Sequence, residues 1–589
     1  YHGPRFSPDG ESIVFEARSG GYLATPDYSM ETGIFVIAAG GGDARQVTAT
    51  GHEPHFGASG DRLYVRRPGE GNNRELVSID LNGEAPRVHA RGEYLTEFEV
   101  SPDNSWLAYR ENYHVYVVPM PPGGKPLSLG TKVSSLPMTR ATGDGGNFPS
   151  WTTDGTVYWS LGATLYSASV DALFAAKNDD GEGGYSAPSS GASLAMELET
   201  DVPDTVVAIT GARIITMADD SGGVIEDGVI LVDGNRISAV GAAGDVSIPG
   251  NAETVDVGGK TIIPGLIDGH AHGAQGNGFI PQQNWVNYAT LALGVTTIFD
   301  PSNDATEIFA AAEMQRTGTI LAPRIYSTGD IVYGARSSYF AEIESLDDAR
   351  EHVRRLKAQG AISIKNYNQP RREQRQQVTV AAREEGMHVV SEGGSLYHMD
   401  LSMVADGNSA IEHNIPQSNF YDDVLQFWGQ SGVAYTPTLV VTYGGLTAEH
   451  YWYMKTNVWE HPILSRFVPP DILQPRSVRR TKAPESDFYH ITAARTAKQL
   501  AGEGIAVTIG AHGQREGLAS HWEMWGFAQG GMSPLEVLRT ATTDSARKLG
   551  MSDDLGSLEP GKLADLVILG ADPLEDIYRS DEVSMVMLN

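Results

Sequence analysis

The 589-residue chain contains no cysteine. That excludes disulfides, thiolate nucleophiles and cysteine-ligated zinc together, so any metal must rest on histidine, carboxylate or modified lysine. Basic residues are also scarce: 43 Lys and Arg stand against 74 Asp and Glu, a formal net charge of −31. Such a field repels phosphate backbones and anionic membrane surfaces, so nucleic acid is not an expected partner. No run of about 18 apolar residues occurs, and membrane insertion is not expected. Nor does the chain open on a secretory signal. YHGPRFSPDG lies already inside a strand-and-turn pattern, and we expect the natural chain to begin earlier.

What is present is a composition of 41% hydrophobic and 20% charged residues, that of a soluble globular protein. The length suggests three or four domains. The first third repeats itself. PRFSPDGESIVF begins at Pro4, PHFGASGDRLYV at Pro54, FEVSPDNSWLAY at Phe98 and PSWTTDGTVYWS at Pro149. Each joins an apolar residue, a Ser-Pro-Asp-Gly type of turn and an alternating strand. A period of about 45 residues with several short strands per unit is the pattern of a β-propeller blade. Residues 1–170 therefore read as a partial propeller of three blades and a fraction, a scaffold with no chemistry of its own. Residues 171–203, rich in Gly, Ser, Asp and Ala, read as a linker.

From Thr205 short strands return, in TVVAITGARIITM, GVIEDGVILVDGNRISAVG and ETVDVGGKTIIPG, and the style recurs near the end in GSLEPGKLADLVIL. Between them, apolar runs alternate with helical patterns, as a (β/α)₈ barrel requires. The expected barrel strands are 266–270, 296–300, 324–328, 362–366, 388–392, 409–413, 433–438 and 506–511. Helices are expected over 346–359, 374–385 and 486–503. The stretch TIIPGLIDGHAH, from Thr261 to His272, joins the two patterns. Alternate side chains of a strand share a face, so His270 and His272 project together at a strand end, as two imidazoles must to reach one metal ion. Lys365 lies in an apolar strand, where an inward ammonium is costly unless paired or modified.

AITGARII, PGLIDGHAH, ATTDSARKLG and GSLEPGKLADLVIL strongly resemble the amidohydrolase superfamily, over about residues 203–589. The N-terminal repeats resemble TolB-like propellers of bacterial envelope proteins. The resemblance implies a composite β-sandwich from residues 204–264 and 553–589 around a barrel of residues 265–552. It implies one or two divalent ions, zinc by preference, held by His270, His272, Lys365 and His413, with Lys365 carboxylated on its amine (N6-carboxylysine). Two positions depart from the family pattern. Glu392 stands where a histidine is usual, and His512 stands where an aspartate usually binds metal and acts as general base. Both replacements are metal-binding types, so Glu392 and His512 complete the expected ligand set. His512 is also a candidate catalytic base. His521, with Glu523, reads either as a proton donor to the leaving group or as a structural pair beside Trp522 and Trp525. Glu412, next to His413, is expected to point to the opposite face in a structural role.

Metal-assisted hydrolysis of an amide or peptide-like C–N bond is the expectation, with a dipeptide or cyclic amide as substrate. An esterase or lactonase on the same site is the alternative among enzymes, and a catalytically inactive envelope scaffold the alternative of another class. The stretch 443–486 is long enough to be a lid, and its aromatics suggest an apolar substrate group. Tyr397, Tyr443 and Trp452 are the expected substrate contacts. The resemblance further implies a bacterial periplasmic or secreted protein, and a homo-oligomer is a further expectation.

Overall fold

Each of the four sequence repeats folds around the same turn. In the computed structural model, which describes residues 1–18, 23, 31–176, 184–200 and 202–588, Gly10 N donates to Ser7 O, Gly60 to Gly57, Asn104 to Ser101 and Gly155 to Thr152, at 2.9 to 3.2 Å. The donor residue takes a left-handed conformation every time, with φ from +62° to +80°. Glycine adopts it without penalty, and asparagine is among the few others that tolerate it. Asp9, Asp103 and Asp154 brace the turn by accepting from Ser7, Ser101 and Thr152. The Ser-Pro-Asp-Gly signature is thus a turn-forming device.

Among the described residues each repeat becomes one sheet. The first sheet holds His2–Phe6, Ser12–Ala17, Gly33–Ala38 and Arg45–Thr48; the second runs from His52–Phe56 to Arg87–Gly92, with Leu127–Ser128 at its edge. The third and fourth begin at Leu95–Val100 and Asn147–Trp151. Four blades therefore stand where the repeat spacing suggested three and a fraction. The fourth is completed by Ala192–Ser193, which pairs with Thr164–Ser169 and comes from the stretch read as linker. Residues 177–183 of that stretch lie outside the described residues. Apolar layers join neighbouring sheets: Val14, Ile34, Leu63 and Val77 in one, Leu76, Phe98, Leu107 and Tyr116 in the next, and Val117, Val157, Trp159 and Ala168 in the third.

The chain divides into two units, Tyr1–Glu197 with Val332–Gly360, and Leu198–Ile331 with Ala361–Asn589. The helix Leu346–Gln359 was expected among the barrel helices, but it clusters with the propeller sheets. Its capping box, Ser345 with Asp348, starts it, and Gly360 at φ 119° ends it. One face makes the contacts that explain the grouping. The Arg355 guanidinium sits 3.6 Å from the Tyr113 ring centroid, Arg354 pairs with Asp144 at 2.6 Å, and Glu351 with Arg140 at 2.8 Å.

His352, on the same helix, packs edge-on to Tyr113 at 5.8 Å. Burial, with Arg355 nearby, pushes its pKa down from 6.5 to about 3. The unfolded chain then takes up a proton that the native state refuses, so stability falls as pH drops below 6.5 toward 3. At pH 5 this one residue should cost about 2 kcal/mol. His352→Gln should flatten that part of the slope when unfolding of the protein is followed between pH 7 and 5; an unchanged slope would refute the assignment.

In the second unit the two flanks of the barrel join in one sheet. The strand Val206–Ile215 pairs with Val224–Asp233 along one edge and, in succession, with Glu253–Asp256 and Thr261–Pro264 along the other. Bulges near Gly211, at φ 78°, let the long strand bend between those two partners. Thr261–Pro264 then pairs with Leu566–Leu569, and that strand with Val583–Met587. Ile209, Ile214, Ile230, Ile262, Leu566 and Ile568 form its apolar core.

The barrel strands follow the expected order. Leu266–Asp268, Val295–Asp300 and Arg324–Ser327 pair in parallel, as do Ser363–Tyr367, His388–Glu392, Ala410–Glu412 and Ala434–Thr436. Ile362 N donates to Ser327 O between these groups. Residues 506–511 take the place of the eighth strand without forming a regular one, with a single bridge at Val507: Tyr435 N donates to Ala506 O, Thr508 N to Tyr435 O, and Gly269 N to Ile509 O, which returns the ring to strand one. Barrel closure is what brings residues 270 and 512 together. His512 N donates to His270 O at 2.8 Å.

Candidate metal centre and active site

Four imidazoles meet at the C-terminal ends of barrel strands one, six and eight. His270 lies 5.0 Å from His272, 4.9 Å from His413 and 5.2 Å from His512 between ring centroids. His512 lies 4.6 Å from His272 and 5.0 Å from His413. Ligand atoms of His270, His272 and His512 all lie within 4.8 Å of one another. The backbone makes this convergence. His413 and His512 are both left-handed, at φ 66° and 55°, a costly conformation for a residue that carries a Cβ and one that concentrates at functional sites.

Buried carboxylates orient two of the rings. His270 Nδ1 lies 2.6 Å from Glu412 Oε2, and His272 Nδ1 lies 2.8 Å from Asp300 Oδ1. With Nδ1 donating to a carboxylate, each ring presents its Nε2 lone pair, and the two Nε2 atoms stand 3.2 Å apart. This carboxylate–imidazole arrangement is how proteins fix the tautomer of a metal ligand. Asp300 is held by Asn303 Nδ2 and Ser302 N. Burial pushes the pKa values of His270 and His413 well below 6.5, helped by Lys365 and neighbouring imidazoles. Burial, with His272 and Lys365, brings His512 down to about 3. These rings are neutral lone-pair donors at neutral pH. The donor set fits a divalent cation of the zinc type.

Beside the imidazoles, Lys365 Nζ lies 2.9 Å from Glu392 Oε2, and Glu392 Oε1 lies 3.7 Å from His413 Nε2. Both partners are buried. The six residues expected as ligands thus fall in one cluster, although only the three named histidines meet the tighter spacing.

Other expectations change. Glu412 was expected to face away from His413, and alternation along a regular strand requires that. Glu412 shares the inward face of its strand with Ala410 and reaches beneath His270, while His413, left-handed just beyond the strand end, is the residue that turns to the same side. His521 is not at the cluster: its ring is fully buried, with Nδ1 2.9 Å from Ser580 Oγ and Nε2 2.8 Å from Leu293 O. Neither nitrogen is left for a leaving group. Glu523 accepts from Val440 N and Gly510 N, and burial raises it to about 8. His521→Ala should therefore lower stability by about 2–3 kcal/mol while turnover per folded molecule is retained, measured by thermal unfolding and active-site-normalised rates.

Trp452 also leaves the expected substrate set. It is buried against Trp525, with centroids 4.9 Å apart. The stretch read as a lid folds into short helices, Ala448–Lys455, Leu464–Phe467 and Pro470–Val478, and its aromatics pack it down. Tyr397, half-buried at the start of the helix Tyr397–Ala405, has its ring beside His398. Tyr443 does border the cluster, 5.5 Å from His413, and is 39% exposed, enough to meet a ligand.

Two parts of the site escaped the sequence reading. Asp300 ends an expected strand as a buried carboxylate, which was an available signal. Lys548, inside the ATTDSARKLG motif, enters the barrel from the helix Thr543–Leu549 and pairs with Glu412 at 2.6 Å. Nothing in its spacing announced that.

A closed barrel with histidine-rich strand ends and a flanking sheet built from both sides of the barrel defines a class of metal-dependent hydrolases. The chain belongs to the amidohydrolase family, whose model matches residues 261–589, and it is a hydrolase acting on carbon–nitrogen bonds. Imidazolonepropionase from Erwinia tasmaniensis is 25% identical over 382 residues, 61% of this chain and 90% of that enzyme. A 5'-deoxyadenosine deaminase from Methanothermobacter thermautotrophicus is 26% identical over 390 residues, 62% of this chain and 84% of that enzyme. Among solved structures, a Xaa-Pro dipeptidase with methionine in its active site superposes with a TM-score of 0.50 at 21% identity, over 65% of this chain and 98% of that one. Phenylurea hydrolase B gives 0.50 at 19%, over 65% and 96%. These structural likenesses concern the fold.

Proposed function

We propose that the protein hydrolyses an amide-like C–N bond in a short peptide or cyclic amide, using a divalent ion held by His270, His272 and His512. The observation that carries this is the pair of Nε2 atoms 3.2 Å apart, each ring pinned by a buried carboxylate. When bound, the ion supplies Lewis acidity toward a carbonyl and makes water a nucleophile near neutral pH.

The remaining steps belong to side chains. Asp300 and Glu412 carry their charge at Nδ1 of the ligand rings, and Asp268 accepts from His270 N and Ala511 N. Glu392 is the carboxylate at the cluster not committed to orienting a ring, so we assign it the proton of the attacking water and its delivery to the departing amine. Lys365 holds Glu392 in place. His512, neutral down to about pH 3, acts as a lone-pair donor and not as an acid, which moves the base from strand eight to strand five. Tyr443 lines the approach and contacts the substrate.

Zinc is the ion we assign to these histidines. Carboxylation of Lys365, carried from the family resemblance, would set a second carboxylate beside Glu392 and call for a second ion; carbon-13 NMR of the folded protein at neutral pH, after exchange with labelled bicarbonate, reads it as a carbamate carbon. The likeness of the repeats to TolB-type propellers supports a bacterial periplasmic or extracellular location. No described helix is long and apolar enough to cross a membrane. Self-association belongs to the same reading and is checked by light scattering.

The test is metal analysis of the purified protein, with a panel of dipeptides, cyclic amides and aryl esters assayed before and after chelation. Amide hydrolysis lost on chelation and restored by zinc is expected. Hydrolysis of esters alone would replace the substrate assignment, and chelator-resistant turnover would refute the mechanism.

A further inference from the structure

The ammonium of Lys548 is fully buried at the centre of the barrel, directly beneath the cluster. It has three donors, and three acceptors surround it: Glu412 Oε1 at 2.6 Å, Thr436 Oγ1 at 2.6 Å and Gly269 O at 2.8 Å. They come from barrel strands six, seven and one. Thr436 Oγ1 lies 2.8 Å from Thr508 Oγ1, which extends the set to strand eight. Glu412 is shared, since its other oxygen, Oε2, takes His270 Nδ1 at 2.6 Å. An unbroken line therefore runs from a cation on the helix Thr543–Leu549, through a carboxylate, to the most buried imidazole of the site.

We propose that Lys548 is a positioning residue that sets the metal affinity of His270. The inference rests on the reading that His270 holds the ion. Two features make Lys548 more than a generic core contact. Hydrogen bonds to Gly269 O and Thr436 Oγ1 fix the ammonium, and its ion pair at 2.6 Å then fixes where Glu412 can lie. That placement holds the Nδ1–H tautomer of His270 and aims its Nε2 at His272. A carboxylate left in the barrel without this cation would rotate or be neutralised, and the imidazole would lose both its aim and part of its basicity. Partners that orient a ligand ring in this way typically change metal affinity about 10–100-fold when removed.

The experiment measures zinc affinity of folded, metal-free protein by competition with a chromophoric chelator, alongside thermal unfolding of the metal-free form. Lys548→Met should weaken zinc binding about 10–100-fold. Because it strands a buried carboxylate and is liable to misfold, the double variant Glu412→Gln with Lys548→Met is the decisive companion. Its neutral amide still accepts from His270 Nδ1 and leaves no unpaired charge. Zinc affinity weakened by Lys548→Met in the wild-type background, but not weakened further when the same change is added to Glu412→Gln, supports the proposal, since a role independent of the carboxylate would weaken both equally. Wild-type affinity in the folded double variant overturns it. Wild-type protein that takes up no zinc would instead refute the underlying assignment of the ion.

Discussion

His270→Ala is expected to strip the divalent ion and to reduce hydrolysis by more than about 100-fold. The magnitude follows from a comparison. Loss of a group that merely orients a ligand costs about 10–100-fold, and loss of the ligand itself must exceed that. His270 is also the ring on which the site converges. It is fully buried, with three imidazole neighbours within 5.2 Å and a carboxylate at 2.6 Å. Asp300→Asn provides the internal scale, because it removes only the charge behind His272. Metal content by elemental analysis and turnover on the best amide of the panel should fall together in His270→Ala and only partly in Asp300→Asn. Full metal retention in His270→Ala would overturn the site.

Glu392→Gln should behave differently, with zinc retained and turnover down by about 10²–10⁴-fold, the usual worth of a positioned proton-transfer group. The substitution keeps the shape of the side chain but cannot accept a proton at neutral pH. It also leaves Lys365 buried without its 2.9 Å partner, and breaking such a pair costs about 3–5 kcal/mol. Lys365→Met combined with Glu392→Gln separates the two effects. Stability should return in the double variant and activity should not. If His512 were the base, Glu392→Gln would leave turnover near that of the wild type.

The contrast between these residues shows where sequence reading reaches and where it stops. His270 and His272 are two residues apart on one strand, so period-two alternation places both on one face without further information. Lys365 sits in an apolar strand where an ammonium demands a partner, and Glu392 at the next strand end meets that demand. Local rules fail at His413. Glu412 keeps the inward face it shares with Ala410, and His413, left-handed beyond the strand end, turns its own ring to the same side; no propensity anticipates a single strained φ. Lys548 is further out of reach. It lies on a helix, 136 positions after Glu412 in the chain, and only barrel closure puts the two together. His521 and Trp452 were drawn toward the site by residue type alone. Their partners, Ser580, Leu293 and Trp525, are remote in sequence and claim them for packing.

The sequence by itself determined the repeat turns of the first unit, seven of the eight barrel strands within one or two residues and the histidine pair that marks the first of them. Those are local properties, set by turn chemistry, by alternation and by apolar runs. Tertiary structure alone decided that four imidazoles share one small volume, that the helix Leu346–Gln359 joins the propeller sheets, and that a buried lysine stands behind His270. Each depends on contacts between segments far apart in the chain, where ring closure and strained backbone conformations override what neighbouring residues prefer.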